Sequence, residues 1–309
     1  MMDLTVKLQV MERENSGSNR PFSWLLTVLW LVPVCVLGAQ SDRITASGAI
    51  THPDLPELSG MAVSRTHPGL YWGIGDSGSP ARLLAFDAAG TVRANVEVQG
   101  VRNRDWEDLA SFHHQGTNWL MIADVGDNFS LRSRAQLILL AEPDLDARRV
   151  DPQRQLVFSY EDGPRDCEAV AFDADQARIL LIDKRRRPSS VYALPWDAPA
   201  ASAVAKRIGQ VRIPPFHRGD GRGVDITAMD ISSDGRRMLL LGYKELVLVE
   251  RAPGQSWLNA MRLGARRFEL PRLPLFESAA FSVGGRNVLI GNEGPTSRLF
   301  EFAGRQPAR

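Results

Sequence analysis

The sequence predicts an all-β fold, a five-bladed β-propeller, and three observations lead to that prediction. A six-residue pattern recurs five times, each copy lies in an apolar segment typical of a strand, and further strands follow each copy in the same order. Self-similarity at a period of roughly 50 residues is typical of propellers, in which each repeat forms one blade. The copies are ELSGMA at 57–62, DWEDLA at 105–110, DCEAVA at 166–171, DITAMD at 225–230 and LFESAA at 275–280.

Each repeat begins with the motif strand, and three more predicted strands follow it in the first four repeats and two in the fifth. Short segments of alternating polarity, separated by turn residues, predict antiparallel sheets. The second strands are predicted at 69–76, 118–124, 178–183, 237–244 and 287–292. The third strands are predicted at 81–87, 135–142, 189–195, 246–250 and 297–302, and the fourth at 92–98, 155–160, 206–213 and 265–270.

The fifth repeat lacks a fourth strand before the chain ends. Residues 44–50, ITASGAI, precede the first motif and can supply that strand. Pairing of this segment with the last repeat would close the ring and remove an exposed edge. Five blades is the direct count, and the longer second and third repeats leave room for a sixth, degenerate blade.

The N-terminal region is expected to lie outside the fold. Residues 21–38, PFSWLLTVLWLVPVCVLG, form an apolar run that ends in small residues. We interpret residues 1–39 as a signal peptide with a polar n-region, cleaved near Ala39, and residues 40–309 as a single propeller domain. A retained membrane anchor is the alternative, because the run is about long enough to span a bilayer.

These features predict an exported protein, periplasmic or extracellular, that is a monomer. Contact with a membrane is expected only through an uncleaved signal. The formal net charge of +1 gives no indication of a nucleic-acid partner. Without Cys35, the mature chain keeps Cys167 alone, so no intramolecular disulfide is expected.

The third position of each motif copy carries a side-chain oxygen. One such residue per blade, facing inward, would form a ring around the central channel. Three carboxylates in one ring repel each other unless a cation lies between them. A hard cation with oxygen ligands fits such a ring, and Ca2+ is the expected ion. The ring residues are Ser59, Glu107, Glu168, Thr227 and Glu277.

Polar residues that follow the second strands are expected beside this ring. The second strand runs antiparallel to the motif strand, so its end returns to the same mouth of the channel. The opposite mouth shows no recurrent polar signature. An Asp at a strand end also commonly caps a turn, which is the structural alternative for each of these acids. These residues are Asp76, Asp124, Asp127, Asn128, Asp183, Lys184, Arg185, Lys244, Glu245, Asn292 and Glu293. The candidate catalytic and substrate-binding residues among them are Asp76, Asp127, Asp183, Lys184, Arg185 and Lys244.

In these motifs the chain resembles the secreted calcium-activated nucleotidases, the apyrase family. The shared contexts are ELSGMAVS, YWGIGDSG, DWEDLA, DCEAVAFD, LLIDKRR and MLLLGYKE. The resemblance implies a five-bladed propeller with a central Ca2+ held by the ring residues. It also implies that Lys184 or Arg185 lies near phosphate, and that Lys244 matches a family lysine. The chain is similar as well to a broad set of secreted bacterial β-propeller proteins, which implies a fold more than a reaction.

Two functions from different classes follow from these residues. The first is a Ca2+-dependent phosphohydrolase acting on phosphoanhydrides or phosphoesters. In it, Asp76, Asp127 or Asp183 would act as the base, while the cationic side chains Lys184, Arg185 and Lys244 would stabilise charge and bind substrate. The alternative is a non-catalytic propeller with a structural Ca2+, whose mouth binds a small anionic ligand or a partner. A glycoside hydrolase is a third option, because a channel can present paired carboxylates.

Overall fold

The computed structural model describes residues 4–6, 9–12, 43–184, 188–213, 225–273 and 275–304. The expected all-β class is confirmed, because strands make up nearly all of the regular structure. Within the described ranges there is one α-helix, Trp257–Leu263, and one 3-10 helix, Ala174–Gln176. Ser256 caps the α-helix, since its side chain accepts a hydrogen bond from the backbone N–H of Asn259.

The four strands of each repeat follow the predicted positions closely, whereas the strands at 4–6, 9–12 and 149–150 had no predicted counterpart. Three strands precede the first motif: β1 (Leu4–Val6), β2 (Gln9–Glu12) and β3 (Arg43–Ile50). The first two repeats contain β4 (Leu58–Val63), β5 (Leu70–Gly75), β6 (Arg82–Asp87), β7 (Val92–Val98), β8 (Trp106–His114), β9 (Thr117–Asp124), β10 (Ala135–Ala141), β11 (Arg149–Val150) and β12 (Arg154–Tyr160). The last three contain β13 (Cys167–Asp173), β14 (Arg178–Asp183), β15 (Ser189–Pro195), β16 (Ala203–Arg212), β17 (Ile226–Ile231), β18 (Arg237–Gly242), β19 (Glu245–Glu250), β20 (Ala265–Glu269), β21 (Phe276–Phe281), β22 (Val288–Asn292) and β23 (Ser297–Ala303).

Each repeat forms an antiparallel unit of four strands in chain order. The first four units are β4 to β7, β8 to β10 with β12, β13 to β16, and β17 to β20. In the fifth unit β23 pairs with β3, which is the closing strand that the sequence predicts at 44–50. A short parallel pairing between β12 and β16 joins the second and third units into a nine-stranded sheet that includes β2.

The five motif strands are neighbours in a closed cycle. Strand β4 contacts β8, β8 contacts β13, β13 contacts β17, β17 contacts β21, and β21 contacts β4. All residues of β4, β13 and β17 are buried, which explains why these segments are mostly apolar and why the few polar residues in them, such as Glu168, stand out. The fourth strands β7 and β12 instead alternate between buried and partly exposed residues, as one-sided strands do.

Five apolar clusters lie between successive units. Trp72 packs between the first and second units, Tyr192 between the second and third, and Met229 between the third and fourth. Phe276 packs between the fourth and fifth units, and Phe86 between the fifth and first. The hydrophobic core is therefore divided into one layer for each interface between units.

The N-terminal strands lie on the outer edges of two units. Leu4–Val6 pair with β20, and Gln9–Glu12 pair with β16. The sequence analysis places residues 1–39 outside the fold, whereas residues 4–6 and 9–12 pair with it. An outer strand has unpaired backbone N–H and C=O groups, to which an extended segment can add. The apolar run 21–38 and Ala39 lie outside the described residues, and signal cleavage stays a prediction. Among the residues described, no helix is long and apolar enough to cross a bilayer.

Candidate functional site

Every motif strand has a β-bulge at its third motif position. The register shifts fall between Leu58 and Gly60 in β4, and between Trp106 and Asp108 in β8. The same shift occurs in β13, β17 and β21. A bulge takes one residue out of the ladder and re-aims its side chain. The residues in the five bulges are Ser59, Glu107, Glu168, Thr227 and Glu277.

A recurrent backbone hydrogen bond joins the exit of the second strand to the first motif residue. The N–H groups of Asp76 and Lys184 donate to the carbonyl oxygens of Glu57 (3.3 Å) and Asp166 (2.9 Å). Gly126 bonds to Asp105 and Glu293 to Leu275 in the same way. The second-strand exits therefore lie at the end of the cycle where the motif strands begin. We call this end the motif mouth.

Carboxylates converge at the motif mouth in three overlapping groups. Within each group, one ligand atom of every residue lies within 4.8 Å of the others. The groups are Glu107 with Asp166 and Glu168, Asp76 with Asp105 and Glu107, and Glu57 with Asp76 and Glu293. We refer to these seven residues as the acidic cluster. All three members of the first group are buried, whereas the third group is partly exposed.

Burial and mutual repulsion raise the pKa values of the cluster. The pKa of Glu107 lies well above its ordinary value, because the side chain is buried and Glu168 and Asp105 lie close to it. The pKa of Asp105 rises to about 6, through burial and the neighbouring Asp76. In the part of the chain that the structure describes, no hydrogen-bond donor contacts the carboxylate of Glu107.

Lys184 offsets part of this negative charge. Its ammonium nitrogen lies 2.5 Å from Oε1 of Glu168 and 5.2 Å from the ring centre of Tyr243. Burial still raises the pKa of Glu168 to about 7, although Lys184 acts against the rise. The pKa of Glu277 rises to about 8, through burial and then through Glu293 and Glu168. The negative charges of the acidic cluster therefore act on Glu277 as well.

The two hydroxyl residues of the ring tie neighbouring motif strands together. Ser59 Oγ donates to the carbonyl oxygen of Glu107 at 2.9 Å, and Thr227 Oγ1 donates to that of Phe276 at 2.9 Å. Each hydroxyl keeps lone pairs that can accept a hydrogen bond or a cation. These two ring positions therefore have a structural role whether or not an ion is bound.

The predicted bases occupy three different environments. Asp127 accepts hydrogen bonds from the backbone N–H groups of Leu131 (2.9 Å) and Arg132 (2.6 Å), so its carboxylate caps a loop. Asp183 is buried and accepts a hydrogen bond from the N–H of Ser190 at 2.7 Å. Asp76 is the one of the three that belongs to the acidic cluster, and it is partly exposed.

The predicted cationic residues are also separated. Lys184 is held against Glu168, as described above. Lys244 is exposed at the turn between β18 and β19. Arg185 lies outside the described residues.

Sequence reasoning missed the acids at the first motif position. Four of the five copies carry an acid there, and three of these acids, Glu57, Asp105 and Asp166, belong to the acidic cluster. Asp225 is the fourth, and the fifth copy has Leu275. The recurrence itself was the available signal, because an acid occupies the first position in four of the five copies, only one fewer than the oxygen-bearing side chain at the third position.

The donor set of the mouth matches hard-cation chemistry. Carboxylate oxygens are the ligands that Ca2+ and Mg2+ prefer, and buried carboxylates in close contact need a positive charge between them. Glu107, Asp166 and Glu168 could hold a metal ion, with Asp76 and Asp105 beside them.

Neither a protein-family model nor a curated protein matches this chain.

The opposite end of the cycle differs in chemistry. Asp230 is buried there, and its two oxygens accept hydrogen bonds from the N–H groups of Ile231 (2.8 Å) and Phe281 (2.9 Å). It lines a cavity of about 60 Å³ with Arg65 and Ser111. Burial raises the pKa of Asp230 to about 7. The polar groups of this end are hydrogen-bonded or ion-paired within the protein, as in the buried pair of Arg251 and Asp173, and among the described residues no group of three acids that could hold a metal ion gathers there.

Proposed function

We propose that the chain is a five-bladed β-propeller in which the five antiparallel units are the blades. The closed cycle of motif strands and the five apolar layers between successive units support this arrangement. The pairing of β3 with β23 would complete the fifth blade from both ends of the chain. Each blade would then contribute one bulge residue to the mouth of the central channel.

We also propose that the motif mouth binds a hard divalent cation, with Ca2+ as the ion. The observation that carries this proposal is Glu107, a buried carboxylate with no donor among the described residues and with Asp166 and Glu168 within 4.8 Å. Leaving such a group without a counter-charge would cost several kcal/mol. Ca2+ accepts about six to eight oxygen ligands in flexible geometry, which suits a large carboxylate set better than the strict octahedron of Mg2+.

The function that this geometry favours is that of an exported Ca2+-binding propeller whose mouth binds a small anionic ligand. The acidic cluster would hold the ion, and the ion would supply the positive charge that an anion needs at this mouth. Lys184 would lie beside the ligand and share that role, since its ammonium is already at the cluster.

A second candidate, a phosphohydrolase, is favoured by the position of Asp76. This carboxylate is partly exposed and belongs to two of the three carboxylate groups, so it could take a proton from a water molecule beside a bound ligand. A bound cation would polarise a phosphoryl oxygen. Asp127 and Asp183 are less suited to this role, because backbone N–H groups already occupy their carboxylates.

Thermal unfolding with millimolar Ca2+ or with chelator tests the ion site. Binding to the native state raises the midpoint of unfolding, so the wild-type protein should melt at a higher temperature in Ca2+. Glu107→Gln should abolish this rise, while Glu250→Gln, which changes an exposed glutamate outside the mouth, should keep it. A full rise in the Glu107 variant would overturn the site. Phosphate release from nucleotides and phosphoesters, lost in Asp76→Asn with the Ca2+ response retained, would establish the second candidate.

A further inference from the structure

Gly126, at the start of the loop between β9 and β10, lies directly against two carboxylates of the acidic cluster. A Cβ atom on its backbone would stand 2.0 Å from Oε1 of Glu107 and 2.5 Å from Oδ2 of Asp105. The backbone N–H of Gly126 donates to the carbonyl oxygen of Asp105 at 3.3 Å, which ties the glycine to this place. The two carboxylates therefore meet at a point that any larger residue would occupy.

The next residue of the loop holds a third acid of the cluster. The N–H of Asp127 donates to Oδ1 of Asp166 at 3.0 Å. Asp166 belongs to the buried carboxylate group, Asp105 belongs to the second group, and Glu107 belongs to both. This stretch of backbone is therefore in contact with the acids that join the two groups into one larger set.

Arg132, at the end of the same loop, fixes Gly126 in position. Its guanidinium donates to the carbonyl oxygen of Gly126 at 2.7 Å and to Oδ1 of Asp124 at 2.8 Å, and its side chain is only 14% exposed. Burial and the charge of Asp76 raise the pKa of Asp105, and the charge of Arg132 opposes that rise. Arg132 thus acts on the cluster in two ways, through the backbone that it holds and through its charge.

We propose that Gly126, held in place by Arg132, gives the motif mouth a preference for Ca2+ over Mg2+. Ca2+ takes about six to eight oxygen ligands, so its site needs acids from both groups around one point. Mg2+ keeps several water ligands and usually binds through roughly one or two carboxylates, which the buried group alone can supply. Glycine leaves open the place where Glu107 and Asp105 meet, so the larger set depends on it. This inference rests on the proposed function.

Calorimetric titration of the full-length protein with Ca2+ and with Mg2+ tests the glycine. In Gly126→Ala the added Cβ should displace the carboxylates of Glu107 and Asp105, because these are the flexible ends of side chains. We expect the Kd for Ca2+ to rise at least about tenfold, and the Kd for Mg2+ to change by less than about threefold.

Gly284→Ala is the matched control for this variant. Gly284 lies in the turn between β21 and β22, nothing stands within 4 Å of its added Cβ, and its φ angle is outside the left-handed region. This variant should bind both ions like the wild type. An equal loss of Ca2+ affinity in the two variants would contradict a specific role for Gly126.

Stability in chelator separates ion selectivity from a merely structural role of Gly126. Gly126→Ala moves like charges apart and reduces the freedom of the unfolded chain, so its midpoint of thermal unfolding in chelator should not fall. A glycine needed only for folding would give the reverse result, with a lower midpoint in chelator and an unchanged ratio of the two Kd values. That result would overturn the proposal.

Arg132→Lys separates the position of Arg132 from its charge. Lysine keeps the positive charge but cannot make the paired contacts of a guanidinium, so Ca2+ affinity should fall as far as in Arg132→Met. Arg134→Met is the control, because Arg134 donates to the carbonyl oxygen of Ala201 and lies outside these contacts. Wild-type affinity in Arg132→Lys would show that only the charge matters, and the positioning role would be lost.

The outcomes also distinguish this proposal from the ion site itself. A wild-type protein that binds neither ion would overturn the cation site and the inference together. A wild-type protein that binds Ca2+ and Mg2+ equally well would keep the cation site and remove the selectivity. A preference for Ca2+ that survives in Gly126→Ala would keep the proposed function and refute the assignment to Gly126.

Discussion

Two sets of buried carboxylates in the same motif strands have opposite environments. Asp108 lies one residue after Glu107 in β8 and accepts hydrogen bonds from the N–H groups of Leu109 (2.9 Å), Val170 (2.8 Å) and Met229 (3.3 Å). Asp230 is satisfied in the same manner. Glu107, by contrast, faces other carboxylates and no described donor. A buried acid with backbone donors holds strands together, whereas a buried acid among acids needs an external positive charge.

The largest effect should come from Asp108→Ala. This change leaves three buried N–H groups in β8, β13 and β17 without an acceptor, at about 1 to 3 kcal/mol each where they stay buried. We expect a loss of about 4 kcal/mol in the free energy of unfolding, measured by urea denaturation. The loss should be the same with Ca2+ and with chelator. A loss of stability that Ca2+ reverses would mean that Asp108 belongs with the acidic cluster, and it would contradict the distinction between the two sets of acids.

Glu142→Ala should have the next largest effect. The Glu142 carboxylate at the opposite end accepts hydrogen bonds from Ser64 Oγ, from the N–H groups of Arg65 (3.0 Å) and Thr66 (3.1 Å), and from Nε1 of Trp72 (2.9 Å). It ties the second unit to the first, and its removal should cost about 3 kcal/mol. Urea denaturation should again show no dependence on Ca2+. Glu142→Gln, which keeps one acceptor oxygen, should recover part of the loss.

Lys184→Met tests the acidic cluster at the motif mouth, where the loss of stability should depend on Ca2+. Without Lys184, Glu168 loses its described cation, so stability in chelator should fall by about 2 kcal/mol. A bound cation supplies the missing charge, so the loss should shrink in millimolar Ca2+. The difference between the two conditions, measured by thermal unfolding, is the readout. An equal loss in both would mean that Lys184 only packs against Tyr243 and that its charge does not matter.

The pH dependence of the ion-free protein tests the acidic cluster as a whole. Folding raises the pKa values of Asp105, Glu168 and Glu277 to about 6, 7 and 8, compared with roughly 4 in the unfolded chain. The folded state therefore holds protons more tightly, and stability in chelator should fall as pH rises from about 5 to 8. Ca2+ should flatten this fall, because it replaces the protons. Stability that rises over this range in chelator would contradict the cluster.

The ring residues were predictable, because the sequence of a single strand is enough to identify each of them. The five motif positions were found because buried strands are apolar, so an acid or hydroxyl inside one is conspicuous. The role of Asp127 was not predictable, because its two donors belong to the loop at 131–132, whose shape depends on Arg132. The helix Trp257–Leu263 also had no predicted counterpart, since seven residues give too little periodicity to separate it from a turn.

The sequence by itself determined the all-β class, the order of strands and the slot that carries the oxygens. These follow from local periodicity, turn residues and the spacing of repeats. Only the tertiary structure decided which carboxylates meet. The five bulges, the convergence of Glu57, Asp105 and Asp166 on the ring, and the separation of Glu107 from Asp108 depend on contacts between units far apart in the chain. Backbone donors and charges from distant strands set the environment of each acid, and no local pattern encodes them.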